Sequence, residues 1–344
     1  MSIPSYTLLC LENPLLDIQA ECNDSTLSKY KLKANDAILA EPQHMGLYDD
    51  LLHNHKATLI AGGAAQNSAR GAQYILPADS VLYIGAVGTD DSAKTLDEAC
   101  AKAGLATEYL RLKDHPTGRC GVVITGHNRS MCTDLAAANH YSVDHLKSPQ
   151  IWKHVEAAKF FYVGGYHLTV SPEAAEALGA EAAKRNVPFV FGMGAPFIPL
   201  AFGEPLGKLL AYCDYVIGNE TEAEAWGQAN NVESKKIVDI AKAIAKLPKK
   251  NEKQVRTVII TQGTEPTIAV SGDKVMELPV HPIAKGKIND TNGAGDAFAG
   301  GFLAGLVQGE KLEKCIDMGM WLARLSIQEL GPSYVTTLPT PASL

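Results

Sequence analysis

INDTNGAGDAFAGGFLAGL, residues 288–306, is the stretch on which the reading of this chain turns. Ala297, Phe298, Gly301, Phe302, Gly305 and Leu306 recur at helical spacing, which predicts a helix starting near Ala294. The amides of Gly293, Ala294 and Gly295 then lack intrahelical acceptors. Together with the positive end of the helix dipole they make an anion site. It is not a P-loop, because no G-x-x-x-x-G-K-[ST] run occurs in the chain, and Phe298 stands where a dinucleotide fingerprint needs its third Gly. Asp296 in the first helical turn suits the dipole as a plain capping charge. Beside an anion site it can also take a proton from a hydroxyl attacking phosphorus, a service worth ~10²–10⁴ in rate. The second reading predicts a hydroxyl kinase in which amides hold the transferring phosphoryl and Asp296 activates the acceptor.

The rest of the composition narrows the class. With 344 residues, 46% hydrophobic and 20% charged, the chain can build one large globular domain or two ordinary ones. A net charge of -7 without a dense basic run argues against nucleic-acid and membrane-surface partners. The most basic segment, KLPKKNEK at 246–253, reads as a solvated loop. Seven scattered cysteines with no C-x-x-C pair argue against a disulfide framework and a thiolate zinc site. The histidines other than His167, including His53 and His55, read as solvated and lack metal-ligand spacing. No apolar run reaches the ~18 residues of a membrane span, so the cytoplasm is the expected location, with the nucleus also open.

Six runs read as strands apolar on both faces: 6–11, 80–88, 159–165, 187–194, 215–220 and 257–263. Amphipathic stretches such as 171–186 and 234–247 alternate with them, which predicts an α/β fold with a doubly wound, mostly parallel sheet. Ligands of such sheets bind at the carboxyl ends of the strands. Residues 18–60 are polar and mixed, and 117–141 alternate like exposed strands. Both read as segments of a small β lid inserted in a large domain of residues 1–17, 61–116 and 142–344.

DTNGAGDAFAGGF resembles the C-terminal signature of the ribokinase-like carbohydrate and nucleoside kinases. NPLLDIQAE, AGGAAQNSARGAQ, TGHNRSMCTDLAAAN, GGYHLTVSPE, APFIP and GNETEAEA, in that order along the chain, resemble the adenosine kinase branch of that family. The resemblance implies a small lid closing over a nucleoside, ATP as donor, the 5′-hydroxyl of adenosine as acceptor, AMP as product in purine salvage, and a monomer. It implies that Asp17 receives the ribose 2′- and 3′-hydroxyls, with Asn13, Gly62, Gly63 and Asn67 as further contacts. Tyr166 matches the aromatic that stacks on adenine, with Phe197, Leu15, Leu16 and Leu135 as apolar walls. Arg129 matches the lid arginine that neutralises the phosphates. Asn219, Thr261, Gly263, Asn292, Gly293 and Gly295 fall on the ATP side, and Asn219 with Glu222 matches a motif that orders Mg²⁺ through water. Another purine nucleoside or a sugar as acceptor, or a catalytically weak adenosine sensor, stays open. The chain departs from the pattern in three places. Gly192-Met193-Gly194 stands for a common Asn-x-Ser, Ala37 stands for a frequent Gln, and His167 follows Tyr166 where some members carry a second aromatic.

Overall fold

The computed structural model describes residues 6–35, 37–126, 128–329, 331 and 334. Its strands are β1 (Leu8–Leu11), β2 (Leu15–Glu21), β3 (Ala37–Leu39), β4 (Thr58–Gly62), β5 (Val81–Val87), β6 (Ala106–Arg111), β7 (Arg119–Thr125), β8 (Asn128–Asp134), β9 (Phe160–Gly164), β10 (Phe189–Gly192), β11 (Tyr215–Asn219), β12 (Thr257–Gln262), β13 (Glu265–Ser271) and β14 (Lys274–Leu278). All six runs read as strands from the sequence are strands.

Nine of them form one sheet in the order β14-β13-β12-β11-β10-β9-β1-β5-β6, parallel except at the β12-β13-β14 edge. From β1 the chain winds outward through β5 and β6, then returns to β9 on the other side of β1 and continues to β12. The crevice of such a sheet opens at the carboxyl ends of strands where the winding reverses, here β1 and β9. Alternate residues of β1 feed two cores, with Leu9 and Leu11 on one face and Leu8 and Cys10 on the other.

The second sheet has five strands, β3-β8-β7-β2-β4, and β2 runs across residue 17, where the large domain was expected to end. The alternation expected of residues 117–141 does not hold along β7, where Cys120 to Thr125 are all buried. Ile18, Ala20, Val123 and Cys132 pack one face onto Leu47, Tyr48 and Leu51 of the helix Gly46–Asn54. On the other face Cys120 borders the ligand cavity. This part of the molecule thus contributes helices as well as strands.

The helix Ala294–Gln308 is buried on every side from Ala297 to Gly305, rather than along one face. Its small residues let it lie between the helices Ala64–Ile75 and Leu312–Ser326. Two further expectations fail for the same reason, that a polar side chain can be buried when it is paired. Lys249 in the basic segment is nearly enclosed and ion-paired to Asp214, and Asn251 is buried. His44 is buried as part of a helix cap, receiving the Glu41 amide on Nδ1 at 2.9 Å, and His154 is buried beside Tyr6. Among the described residues no helix is long and apolar enough to cross a membrane.

Candidate active site

A cavity of about 300 Å³ opens where β1 and β9 end, between the two sheets. β1 delivers Glu12 and Asn13, and β2 delivers Leu15 and Asp17. The start of the 64–75 helix brings Gly63 and Asn67, the turn after β9 brings Tyr166, and the start of the 294–308 helix brings Asn292 to Asp296. Leu135, Phe197, Asn219, Glu222 and Thr261 line it as well.

In the lining, Asp296 Oδ2 accepts a 3.0 Å hydrogen bond from Asn67 Nδ2. Asn67 Oδ1 is buried without a partner and faces the same cavity, an acceptor for a ligand hydroxyl. Gly293 takes φ 77°, which only glycine adopts readily, and precedes the helix as its cap. The amides of Gly293, Gly295 and Asp296 find no backbone acceptor among the described residues. The amide of Ala294, expected to be free, instead turns back to the Thr291 carbonyl at 3.3 Å, because the chain makes a tight turn before the helix. Of the amides of residues 293–296, only that of Ala294 is therefore taken.

Asp17 also lines the cavity. No protein donor among the described residues hydrogen-bonds its carboxyl, so both oxygens are available. Gly62, expected to touch the ligand, does not line the cavity. A Cβ there would lie 2.3 Å from Asp17 Oδ1, so Gly62 makes room for the carboxylate instead. Strand alternation sends Leu16 away from the cavity into the core, while Leu15 faces it. Tyr166 and Phe197, both in the lining, form an aromatic corner, with ring centroids 6.1 Å apart and planes tilted by 49°.

Asn13 lines the cavity, yet its amide is committed to the protein. Nδ2 donates to the Tyr166 carbonyl at 3.2 Å and Oδ1 lies 3.2 Å from His167 Nδ1. His167 is fully buried behind the wall, and desolvation lowers its pKa to about 3, so it stays neutral and carries no proton for catalysis.

Arg129 is not at the cavity. Its Nε lies 3.3 Å from Asp290 Oδ1, which ties β8 to the residue that opens the anion loop. Asp290 also accepts from Asn292 N at 2.9 Å and from Gln19 Nε2 at 3.4 Å. Gly263 lies in the turn between β12 and β13 with open space around it, also outside the cavity lining.

Electrostatically the cavity is one-sided. Its lining carries the carboxyls of Glu12, Asp17, Glu222 and Asp296 and no Lys, Arg or His among the described residues. Burial raises all four, Glu12 to about 8, Asp17 and Glu222 to about 7 and Asp296 to about 6, the last held back by the Asn67 hydrogen bond. Asn219 and Glu222 form a reciprocal helix cap, with Glu222 N donating to Asn219 Oδ1 at 2.9 Å and Asn219 N donating to Glu222 Oε2 at 3.0 Å. Two features escaped the sequence reading. Glu12 lines the cavity although it reads as an ordinary strand-end residue, and the Tyr162 hydroxyl lies where a side chain at Gly192 would begin, 2.6 Å from an added Cβ. The departure at 192–194 is thus filled by a neighbouring side chain, which itself lines the cavity.

A cavity lined by the open amides of a helix start, a carboxylate beside them and an aromatic corner suits transfer of a phosphoryl group to a hydroxyl of a ring-bearing acceptor. The pfkB family carbohydrate kinase profile matches residues 24–340. Adenosine kinase of Saccharomyces cerevisiae is 50% identical over 331 residues, covering 95% of this chain and 96% of that protein. The structure of Anopheles gambiae adenosine kinase with P1,P4-di(adenosine-5) tetraphosphate superposes with TM-score 0.92 at 42% identity, covering 96% of this chain and 100% of that one. Adenosine kinase of Schistosoma mansoni with 2-fluoroadenosine gives TM-score 0.93 at 31% identity, covering 97% and 99%. The chain belongs to the pfkB family of carbohydrate kinases and, within it, to the adenosine kinases.

Proposed function

We propose that the protein transfers the γ-phosphoryl group of ATP to the 5′-hydroxyl of adenosine, forming AMP and ADP. The observation that carries this reading is that one cavity gathers three features in its lining: the Tyr166–Phe197 corner, the unpartnered Asp17 carboxyl and Asp296 beside the open amides. The purine lies against the aromatic corner. Asp17 receives the ribose cis-diol, whose two hydroxyls match two carboxylate acceptors. That leaves the 5′-hydroxyl at Asp296, which takes its proton as oxygen attacks phosphorus. The amides of Gly293, Gly295 and Asp296 hold the transferring oxygens.

A polyphosphate entering a cavity with four carboxyls and no lining cation needs a counter-ion. The oxygen donors fit Mg²⁺, which keeps much of its water shell, and the mutual cap of Asn219 and Glu222 leaves them to hold it through water. Bound there, Mg²⁺ would neutralise charge on the phosphates. All the residues in this reading come from one chain, so a monomer suffices. Seven free thiols, six of them buried, support a reducing compartment such as the cytoplasm.

Arg129 completes the charge balance when the lid closes, and Asp290 keeps its guanidinium at the edge of the anion loop. Arg129→Ala is expected to lower kcat about 10²-fold or more, with the KM for adenosine little changed. An unaltered kcat would reduce Arg129 to a tie between lid and loop.

The function itself is tested by steady-state assays with ATP and Mg²⁺ on adenosine, inosine, guanosine and ribose. Turnover on adenosine is expected to exceed that on ribose, because the aromatic corner has nothing to hold on the free sugar, and the rates on inosine and guanosine give the purine preference. Adenosine that binds without product would make the chain a nucleoside sensor and overturn the catalytic reading.

A further inference from the structure

Glu12 is buried to 1% exposure at the end of β1, yet nothing in the transfer chemistry calls for it. Its two carboxyl oxygens serve two different elements. Oε2 accepts the amide of Ala65, in the first turn of the 64–75 helix, at 2.8 Å. Oε1 accepts the amide of Tyr166 at 3.2 Å. The next residue, Asn13, takes the Tyr166 carbonyl through its Nδ2 at 3.2 Å, so consecutive residues hold the aromatic residue's main chain from both sides. Two positions beyond Ala65, Asn67 holds Asp296 at 3.0 Å. A continuous path therefore runs from the purine wall through Glu12 to the proton-accepting carboxylate.

The space Glu12 occupies exists because residue 164 has no side chain. A Cβ on Gly164 would lie 1.9 Å from Glu12 Oε1 and 2.3 Å from its carboxyl carbon, an overlap that one of the two residues must resolve by moving. Gly164 ends β9 and stands two residues before Tyr166, so any such movement reaches the purine wall directly.

We propose that Glu12 is a positioning residue for the nucleoside, acting as a reciprocal pair with Gly164: its carboxyl ties the wall carrying Tyr166 to the helix carrying Asn67, and the bare backbone at 164 is what admits it. This rests on the reading of the cavity as an adenosine site. Glu12 touches no reacting atom, so its loss is felt in where the nucleoside sits. On the ATP side, Asn219 and Thr261 make no hydrogen bond to Glu12 among the described residues, whose carboxyl serves Ala65 and Tyr166.

The test is a double-mutant cycle with Glu12→Ala, Gly164→Ala and the two combined, with Glu12→Gln as the conservative variant. KM is measured for adenosine and ATP separately. Each single change to Ala is expected to raise the KM for adenosine about tenfold, the loss of a buried hydrogen-bonded tie, while the KM for ATP moves less than about twofold. Glu12→Gln keeps one acceptor oxygen and is expected to fall between wild type and Glu12→Ala. The double variant is expected to be no worse than Glu12→Ala alone, because removing the carboxyl vacates the place the new Cβ needs. Effects that multiply would show two unrelated injuries and overturn the pair. A wild-type KM in Glu12→Ala would overturn the positioning role, and equal rises for adenosine and ATP would mark general damage and overturn it too. If Gly164→Ala does not fold, the order of wild type, Glu12→Gln and Glu12→Ala decides. Wild-type protein silent on adenosine would sink the proposed function, whereas wild-type turnover with unchanged variants sinks only this inference.

Discussion

Asp296→Asn is expected to lower kcat for adenosine by at least ~10²-fold while leaving its KM within a few-fold. The change keeps the size and planarity of the side chain. An amide can still offer its oxygen to Asn67 Nδ2, the donor that now lies 3.0 Å from Asp296 Oδ2, so the geometry of the anion site should survive. What disappears is an oxygen basic enough to take a proton in the transition state. The pH dependence tests the same assignment. Burial raises the Asp296 carboxyl to about 6, and the form that accepts a proton is the ionised one. Since this is the value in the empty protein, kcat/KM for adenosine should be lost as pH falls through about 6 and level off above it. Asp296 also acts by charge on Asp17 and Glu222, both raised to about 7, so the observed limb belongs to the set rather than to one group. Saturating nucleoside and nucleotide in the assay isolate kcat from effects on binding. A variant with wild-type kcat would remove Asp296 from the base role and return it to capping the helix.

Residues 288–306 disclosed the helix start and the open amides of Gly293 and Gly295, though not the pairing of Ala294, because these parts are adjacent in the chain and their spacing carries the local geometry. The strands were legible for a related reason: a parallel strand covered on both faces must be apolar throughout, and β5 is seven buried residues in a row. Contacts between distant residues were not legible. Gly62 reads as a ligand contact in a Gly-Gly pair, and only the β2–β4 register, which sets Leu15 opposite Gly62, shows that it clears space for Asp17. Arg129 could be placed on the lid but not against Asp290, 161 positions away in the numbering of the chain (290 − 129). Glu12 is the clearest case. A glutamate at a strand end is usually solvated, and its burial depends on a glycine brought beside it by the neighbouring strand β9. Failures of this sort share one cause, that a buried polar group is defined by partners the local pattern does not contain.

Asp17→Ala is expected to raise the KM for adenosine by ~10²-fold or more, since two charge-assisted hydrogen bonds of about 1.5–3 kcal/mol each would be lost from the ribose. The effect should fall on the nucleoside and leave the KM for ATP nearly unchanged, because Asp17 is carried by β2 of the five-stranded sheet whereas the open amides belong to the start of the 294–308 helix. 2′,3′-Dideoxyadenosine, which lacks the diol, should bind wild type and variant about equally. An adenosine KM that does not move would refute the ribose assignment. The same carboxylate bears on stability in the opposite direction. Its folded-state pKa is raised from 3.8 to about 7 by burial, so the folded protein keeps the proton longer than the unfolded chain does. Stability associated with Asp17 is therefore present below about pH 4 and is lost as pH rises towards 7, a cost of a few kcal/mol in the empty protein. Asp17→Asn, which keeps the shape and removes the charge, should then melt at a higher temperature than wild type at pH 8 and at nearly the same temperature at pH 4. A site tuned to receive hydroxyl groups holds an unpaired charge until they arrive, and adenosine should raise the melting temperature of wild type far more than that of either variant.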